Sequence, residues 1–365
     1  MTIRGRAALC VAHGEPLTVE NIDTRQPGPG EVIVDMDAAA VCITDIMSLG
    51  GMTFAPPPYI PGHSGSGVVS AVGPGVRHVN VGDRVAATGT AECGLCYACL
   101  RGTPSACEDI GAGMFTPFHV ATRSDGNAVT ADLGCGVFAE RMLLRESVLA
   151  VYDADITPVQ AATLGCGIVS GLGAVFNVAR VVPGATVAVV GCGHLGLWII
   201  QAATLAGAER IIAVEPDEHR RSLATAQGAT HVVDPGAGDP VAQVKDLTGG
   251  RGVDYALEAG GTVEGTVQAY EMTRGAGVLV TTSMARPEDR VTFGALDIGV
   301  SAKEIRSSQS GGGRIKRDVP RYARLLERGV ISTEHIITQV FKLDEVNAAI
   351  EAAEQRKVIT GVVTF

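Results

Sequence analysis

The sequence predicts a two-domain α/β protein: a parallel, doubly wound sheet in the middle of the chain and an irregular, mostly antiparallel β domain before it. Three observations carry this. Residues 186–308 alternate short apolar runs with helical stretches in six steps of roughly 20–25 residues. Residues 1–168 hold short alternating segments cut by Gly, Pro and Asp. A chain of 365 residues has room for two or three domains at about 150 residues each.

In the first domain, strands are expected at 17–22, 32–37, 68–72, 83–87 and 138–143. Residues 108–133 are polar, contain glycine and lack periodicity, and read as a long functional or interfacial loop. In the middle domain, strands are expected at 186–191, 210–215, 231–234, 253–258, 278–282 and 305–308. Helices are expected at 195–205, 217–227 (with Asp217 as cap), 240–247 and 263–272. From about 310 the pattern is mixed, with helices at 319–327 and 343–354 and a last strand at 358–365.

Composition excludes several classes of function. An apolar fraction of 46% with 19% charged residues is that of a folded chain rather than a disordered one. No run of about 18 apolar residues occurs, so no membrane partner is expected. The formal net charge is -10 and the basic residues are scattered, which argues against nucleic acid as a partner. The first residues carry His13, Glu15 and Pro16 after a short apolar patch, unlike a secretory leader. With nine Cys, an odd number, a disulfide framework fits poorly, and a cytoplasmic location is expected.

Four of those cysteines form one block. Cys93, Cys96 and Cys99 are separated by two residues each, and Cys107 follows eight residues on. Two-residue spacers let successive thiolates converge, and four thiolates close the coordination sphere of Zn²⁺. Iron–sulfur runs share the spacing but end in Cys-Pro, whereas here Pro104 precedes Cys107. The block reads as a structural zinc site.

Gly191-Cys192-Gly193-His194-Leu195-Gly196 is a G-x-G-x-x-G that leaves a Val-rich strand and opens a helix. The first Gly permits the tight turn, the second lets a diphosphate approach the backbone, and the third lets helix and strand pack closely. The helix start offers unpaired N–H groups and a positive dipole end. Glu215, at the end of the next strand, can accept from ribose hydroxyls and repel a 2′-phosphate, which favours NAD(H) over NADP(H). Arg220 and Arg221 follow it and can support the ribose.

Three further positions are individually weak and jointly informative: Cys42, followed by Thr44 and Asp45; His63 within a Gly-rich run; and Cys166 between Gly165 and Gly167. Two thiolates and one imidazole with an open fourth position are a known catalytic zinc set.

On Cys42-x-Thr44-Asp45, Gly62-His63, the four-cysteine block, Gly165-Cys166-Gly167, the glycine loop with Glu215 and the Gly361–Phe365 ending, the chain resembles the zinc-dependent medium-chain alcohol dehydrogenases over nearly its full length. It looks most like their longer branch, which includes class III and bacterial aryl alcohol dehydrogenases. The resemblance implies a GroES-like β-barrel catalytic domain, residues 1–168 and 310–365, around a Rossmann NAD-binding domain, residues 169–309. It implies two Zn²⁺ per chain, one catalytic on Cys42, His63 and Cys166 and one structural on Cys93, Cys96, Cys99 and Cys107. Asp45 would orient His63, and Thr44 would hydrogen-bond the substrate oxygen. The partners would be NAD(H), a small-molecule alcohol or carbonyl substrate, and a second copy of the chain in a homodimer, with a tetramer as the alternative.

Several positions depart from that family's pattern. Ser64 follows His63 where Glu is usual, and Met47 stands where many relatives place the His that ends the proton relay; a thioether cannot carry a proton. Ile43 and Thr360 replace residues that often contact the diphosphate. Gly89 replaces an aromatic wall, which would widen the pocket for a bulky, aromatic or cyclic substrate. Met52, Phe54, Pro56–Pro58, Met114, Phe115, Phe118 and His119 are candidates for the pocket mouth, although His119 alone reads as a surface residue. Two other functions are compatible with these motifs: reduction of a conjugated C=C or iminium on the same fold, and a non-catalytic NAD-binding protein.

Overall fold

The computed structural model describes residues 3–53, 55–110, 116–286 and 288–365. Phe54, Met114 and Phe115, expected at the pocket mouth, lie outside the described residues. The chain divides into two compact units, Met1–Cys166 with Arg314–Phe365, and Gly167–Gly313.

The first unit is built on two sheets. One runs in the order Ile3–Leu9, Thr18–Thr24, His119–Arg123, Ala128–Ala131, Tyr59–Ile60. The other runs Leu149–Val151, Arg84–Thr88, Ser64–Val72, Glu31–Ala40, Thr360–Thr364, Ile337–Lys342, and Arg141–Arg145 also pairs with Glu31–Ala40. Most pairs are antiparallel. Thr360–Thr364 lies antiparallel to Glu31–Ala40, so the C-terminal segment completes a sheet begun at the other end of the chain. Helix Ile315–Glu327, which packs on strand Leu149–Val151, turns Ile315, Val319, Tyr322, Ala323 and Leu326 inward, the spacing of one helical face.

Residues 108–133 differ from the expected loop. They contain a hairpin, His119–Arg123 with Ala128–Ala131. Arg123 accepts the Gly126 N–H and donates to Asn127 O, and the Asn127 N–H donates to Asp125. The strands are only four and five residues long, too short for alternation to stand out. A second element was also hidden in the sequence: the helical run Pro158–Ala179, 22 residues long, opened by Thr157, whose hydroxyl accepts the Gln160 N–H. Gly165, Gly167, Gly171 and Gly173 interrupt its pattern. It is the one helix, among the described residues, long and apolar enough to cross a membrane, but 72% of its apolar window is buried, as in a core helix.

The second unit is a six-stranded, fully parallel sheet in the order His231–Val233, Arg210–Val214, Thr186–Val190, Val253–Glu258, Thr273–Thr281, Glu304–Ser307. The order reverses between Thr186–Val190 and Val253–Glu258, and ligands of such sheets bind beyond the C-terminal strand ends at that reversal. Helices His194–Leu205, Glu218–Ala226, Pro240–Leu247 and Val263–Met272 connect the strands. Asp217 caps the second of them, accepting the Arg220 N–H. Ala188, Ile212, Val244, Ala256, Ala269 and Leu279 form part of the core between sheet and helices.

Candidate active site

Cys42 immediately precedes helix Ile43–Leu49. Asp45, in the first turn, accepts the Cys42 N–H with Oδ2 at 2.8 Å, which fixes the helix start. Its Oδ1 is left for His63 Nδ1, also at 2.8 Å. His63 enters from the turn before strand Ser64–Val72, and Cys166 from a π-helical turn, Leu164–Ile168. Such turns recur at functional sites because they re-aim one side chain. The three ligand atoms lie within 4.8 Å of one another, with His63 Nε2 3.4 Å from Cys166 Sγ.

The donor set fits a metal ion. Zinc bonds of about 2.0–2.3 Å in a tetrahedron separate neighbouring donors by roughly 3.5–3.8 Å. Asp45 fixes the Nδ1 side of the imidazole, so Nε2 is the atom that faces the sulfurs. Electrostatics point the same way. Burial pushes His63 down, but the charge and hydrogen bond of Asp45, with Cys42, outweigh it and hold the imidazole above its usual range. Burial raises the Asp45 carboxyl against the pull of His63. The Cys166 thiol is held up by its hydrogen bond with Cys42, by burial, and by the Cys42 and Asp45 charges. Such a cluster retains its protons until a cation displaces them.

The other expected residues fall into place around this cluster. Thr44 is half-buried, its Oγ1 3.8 Å from Cys42 Sγ. Ser64 is buried and donates to Ala162 O at 2.6 Å. Met47 is half-buried, Ile43 is exposed, and Thr360 is buried in its strand. His119 is exposed, and Phe118 is buried. Gly89 requires a correction. It does not widen a pocket: a Cβ there would stand 2.8 Å from His63 Cβ and 3.1 Å from Leu133 Cβ, so the space an aromatic wall would need is filled by the backs of those residues.

The four-cysteine block also converges. The Cys93, Cys96, Cys99 and Cys107 sulfurs lie within 4.8 Å of one another, and Cys96 Sγ is 3.9 Å from Cys107 Sγ. Backbone N–H groups point at them: Cys93 N–H at Cys107 Sγ, Cys96 N–H at Cys93 Sγ, both 3.3 Å. The N–H groups of Glu108 and Cys99 bring the Cys96 thiol down to about 6, while burial pushes Cys99 up to about 12.

In the second unit, Gly191 turns with φ +89, and a Cβ on it would stand 2.6 Å from the Gly260 backbone. A Cβ on Gly196 would stand 2.0 Å from Gly191 O, so only glycine lets the helix sit this close to the strand. Helix His194–Leu205 starts at Gly193, which has no side chain to cap it, and its positive dipole end lies at the glycine loop. Leu195 follows His194 in the first turn, and a Cβ on Gly193 would meet Arg220 Nη1 at 3.6 Å. Glu215 is buried; its Oε2 accepts the Cys192 N–H at 2.7 Å and its Oε1 the Asp217 N–H at 3.1 Å. Arg221 donates to Glu215 O and pairs with Asp234.

Among the described residues, Glu258, Asp132 and Asp318 are buried carboxylates that were not singled out from sequence. Glu258, at the end of its strand, accepts the N–H groups of Gly260 and Gly261, both at 2.7 Å, and the Ser283 hydroxyl. Its place before Ala259-Gly260-Gly261, at a strand end, was the available signal. Asp132 accepts from Ser48, Thr53 and the Leu133 N–H. The only hint of it was that Ser48 follows Thr44 by one helical turn.

Residues 28–154 match the family described as alcohol dehydrogenase GroES-like domain, and residues 195–328 the one described as zinc-binding dehydrogenase. The chain is 33% identical over 374 residues to the S-(hydroxymethyl)glutathione dehydrogenase of Haemophilus influenzae, covering 100% of this chain and 98% of that one. It is similar to the crystal structure of an alcohol dehydrogenase zinc-binding domain protein from Burkholderia ambifaria, with 28% identity, TM-score 0.94 and 100% of both chains covered. It is also similar to that of benzyl alcohol dehydrogenase from Acinetobacter calcoaceticus, with 29% identity, TM-score 0.92, 100% of this chain and 99% of that one.

Proposed function

The chain belongs to the zinc-dependent alcohol dehydrogenase family, and from that premise we propose that it oxidises an aromatic or cyclic alcohol with NAD⁺, holding the catalytic zinc on Cys42, His63 and Cys166. The single observation that carries the proposal is the convergence of those three donors, with Asp45 behind the imidazole. Support for the substrate class is the likeness to a benzyl alcohol dehydrogenase, in place of the Gly89 argument. Support for NAD⁺ is Glu215, a buried carboxylate in the position where a 2′-phosphate would need a cation.

When bound, zinc supplies a Lewis acid that lowers the pKa of an alcohol, and NAD⁺ supplies the hydride acceptor. The residues do the rest. Asp45 keeps the proton on His63 Nδ1 and thereby the lone pair on Nε2. Thr44 Oγ1, beside Cys42 Sγ, accepts the alcohol proton. The glycine loop and the helix it opens hold the diphosphate. Cys93, Cys96, Cys99 and Cys107 would hold the second zinc with no open position, a structural role.

A homodimer would use the edge of the parallel sheet. Leu296 and Val300, on the helix that precedes strand Glu304–Ser307, are 79% and 72% exposed, and Ile305 of that strand is 50% exposed. Light scattering of the purified chain tests this, and a monomer refutes it. For the reaction, zinc content and NADH formation with a panel of benzylic alcohols are measured for the native chain and Cys42→Ser. The variant is expected to lose one zinc and all turnover while still binding NADH. Native turnover in the variant refutes the assignment.

A further inference from the structure

Asp132 is a buried carboxylate that the reaction above leaves without a role. Ser48 Oγ donates to its Oδ2; Thr53 Oγ1 and the Leu133 N–H, the latter at 3.0 Å, donate to its Oδ1. Ser48 stands on helix Ile43–Leu49 one turn after Thr44, so the two hydroxyls share a face with Cβ atoms roughly 5–6 Å apart. One water spans such a gap. Thr53, at the other end, is half-buried. A hydroxyl, a carboxylate and a second hydroxyl are thus hydrogen-bonded in series, from Ser48, one helical turn after Thr44, to the half-buried Thr53, while Met47 on the same helix cannot pass a proton.

The titratable groups that face Asp132, among the described residues, are Tyr59, Cys10 and Cys135. Tyr59 donates to Ser48 O at 3.0 Å, and the His13 ring lies 6.0 Å from the Tyr59 ring. Burial is the first cause that raises all three, with the Asp132 charge adding to it. They stay neutral, which leaves the carboxylate as the group able to accept a proton.

We propose that in the oxidising direction the alcohol proton leaves through Thr44, one water, Ser48 and Asp132. Thr44 takes the alcohol proton and gives its own to the water. The water gives one to Ser48, and Ser48 gives its hydroxyl proton to Asp132 Oδ2. Each step breaks one O–H bond and forms another, and no electrons move along the chain; the hydride pair goes to NAD⁺. Asp132 then releases the proton to water on the side of Thr53. The relay rests on the reading of Thr44 as the first acceptor.

The test compares native holoenzyme with Asp132→Asn, Ser48→Ala and Ser48→Thr in alcohol oxidation across pH, in H₂O and D₂O, with zinc content and NADH binding measured on the same samples. Asp132→Asn is expected to lose tenfold or more in kcat with an altered solvent isotope effect, within the usual range for losing a proton acceptor. Ser48→Ala is expected to show the same fall in kcat and an altered solvent isotope effect, and Ser48→Thr to restore both. Zinc content and NADH affinity stay native throughout. If Asp132→Asn does not fold, the two Ser48 variants decide. A native kcat in Ser48→Ala overturns the relay, as does a fall in kcat with the solvent isotope effect unchanged. A native chain that oxidises no alcohol overturns the underlying assignment instead.

Discussion

Asp45 joins two members of the triad: one of its oxygens receives the Cys42 N–H and the other holds His63 Nδ1, each at 2.8 Å. The same carboxylate therefore sets the helix start that presents Cys42 and the ring orientation that presents Nε2. Asp45→Ala removes both constraints at once. Zinc affinity at this site is expected to fall about 10–100-fold, as for other residues that support a ligand from behind. Chelator competition measures it, and an unchanged affinity refutes the role.

The four-cysteine site is expected to act on stability. Arg314 Nη2 donates to Cys99 O at 3.1 Å, and Glu92 accepts the Ile315 N–H, so the block is tied to the start of helix Ile315–Glu327. Metal binding energy at such closed sites is folding energy. Cys96→Ala should retain one zinc per chain instead of two and melt several degrees lower. An unchanged metal count and Tm would show that the sulfurs converge for another reason.

These sites were legible in the sequence to different depths. The cysteine block and the glycine loop could be read because each ligand or turn residue lies within a few residues of the next. Cys42, His63 and Cys166 are scattered, and they became a set only through resemblance to a family. Helix Pro158–Ala179, which carries Cys166, escaped because its glycines erase the apolar period, although they are what lets neighbouring backbone pack against it. Asp132 escaped because its partners, Ser48 and Thr53, are some 80 residues away in the chain and nothing local marks it. Gly89 was misread because an absent side chain in sequence does not say what fills its place in space.

That correction can be checked. With His63 Cβ and Leu133 Cβ at 2.8 and 3.1 Å from the position a Cβ would take, Gly89→Ala overpacks a site behind the metal ligands. The cost is expected to be about 1–3 kcal/mol. Chemical denaturation measures it. A neutral substitution would mean that the space beside His63 is open after all.

Glu215 is expected to set cofactor choice. Its carboxylate is buried and anchored by the N–H groups of Cys192 and Asp217, so it cannot swing away from an incoming 2′-phosphate. Glu215→Gln keeps the shape and removes the charge. KM for NAD⁺ should rise about tenfold, or ~1.4 kcal/mol of lost binding, and the preference over NADP⁺ should narrow. Steady-state rates with both cofactors decide; an unchanged ratio places the discrimination elsewhere.

Asp254 gives the parallel sheet an acid-sensitive joint. Its Oδ2 accepts from the Thr186 N–H and Oγ1, at 2.7 and 2.8 Å, and its Oδ1 from Arg274 Nε at 2.7 Å. Burial opposes the charge, but these bonds outweigh it and hold the carboxyl below its ordinary range. A carboxyl lowered on folding binds fewer protons in the native than in the unfolded chain. Its contribution is therefore complete above the unfolded value, about 3.9, and is lost as pH falls from there through the lowered native value. Asp254→Asn should unfold more readily at neutral pH, with the deficit shrinking as the pH falls below about 4. Denaturant unfolding of both chains at a series of pH values measures that difference. A deficit that stays constant with pH would show that the bonds to Thr186, rather than the carboxylate charge, stabilise the strand pair.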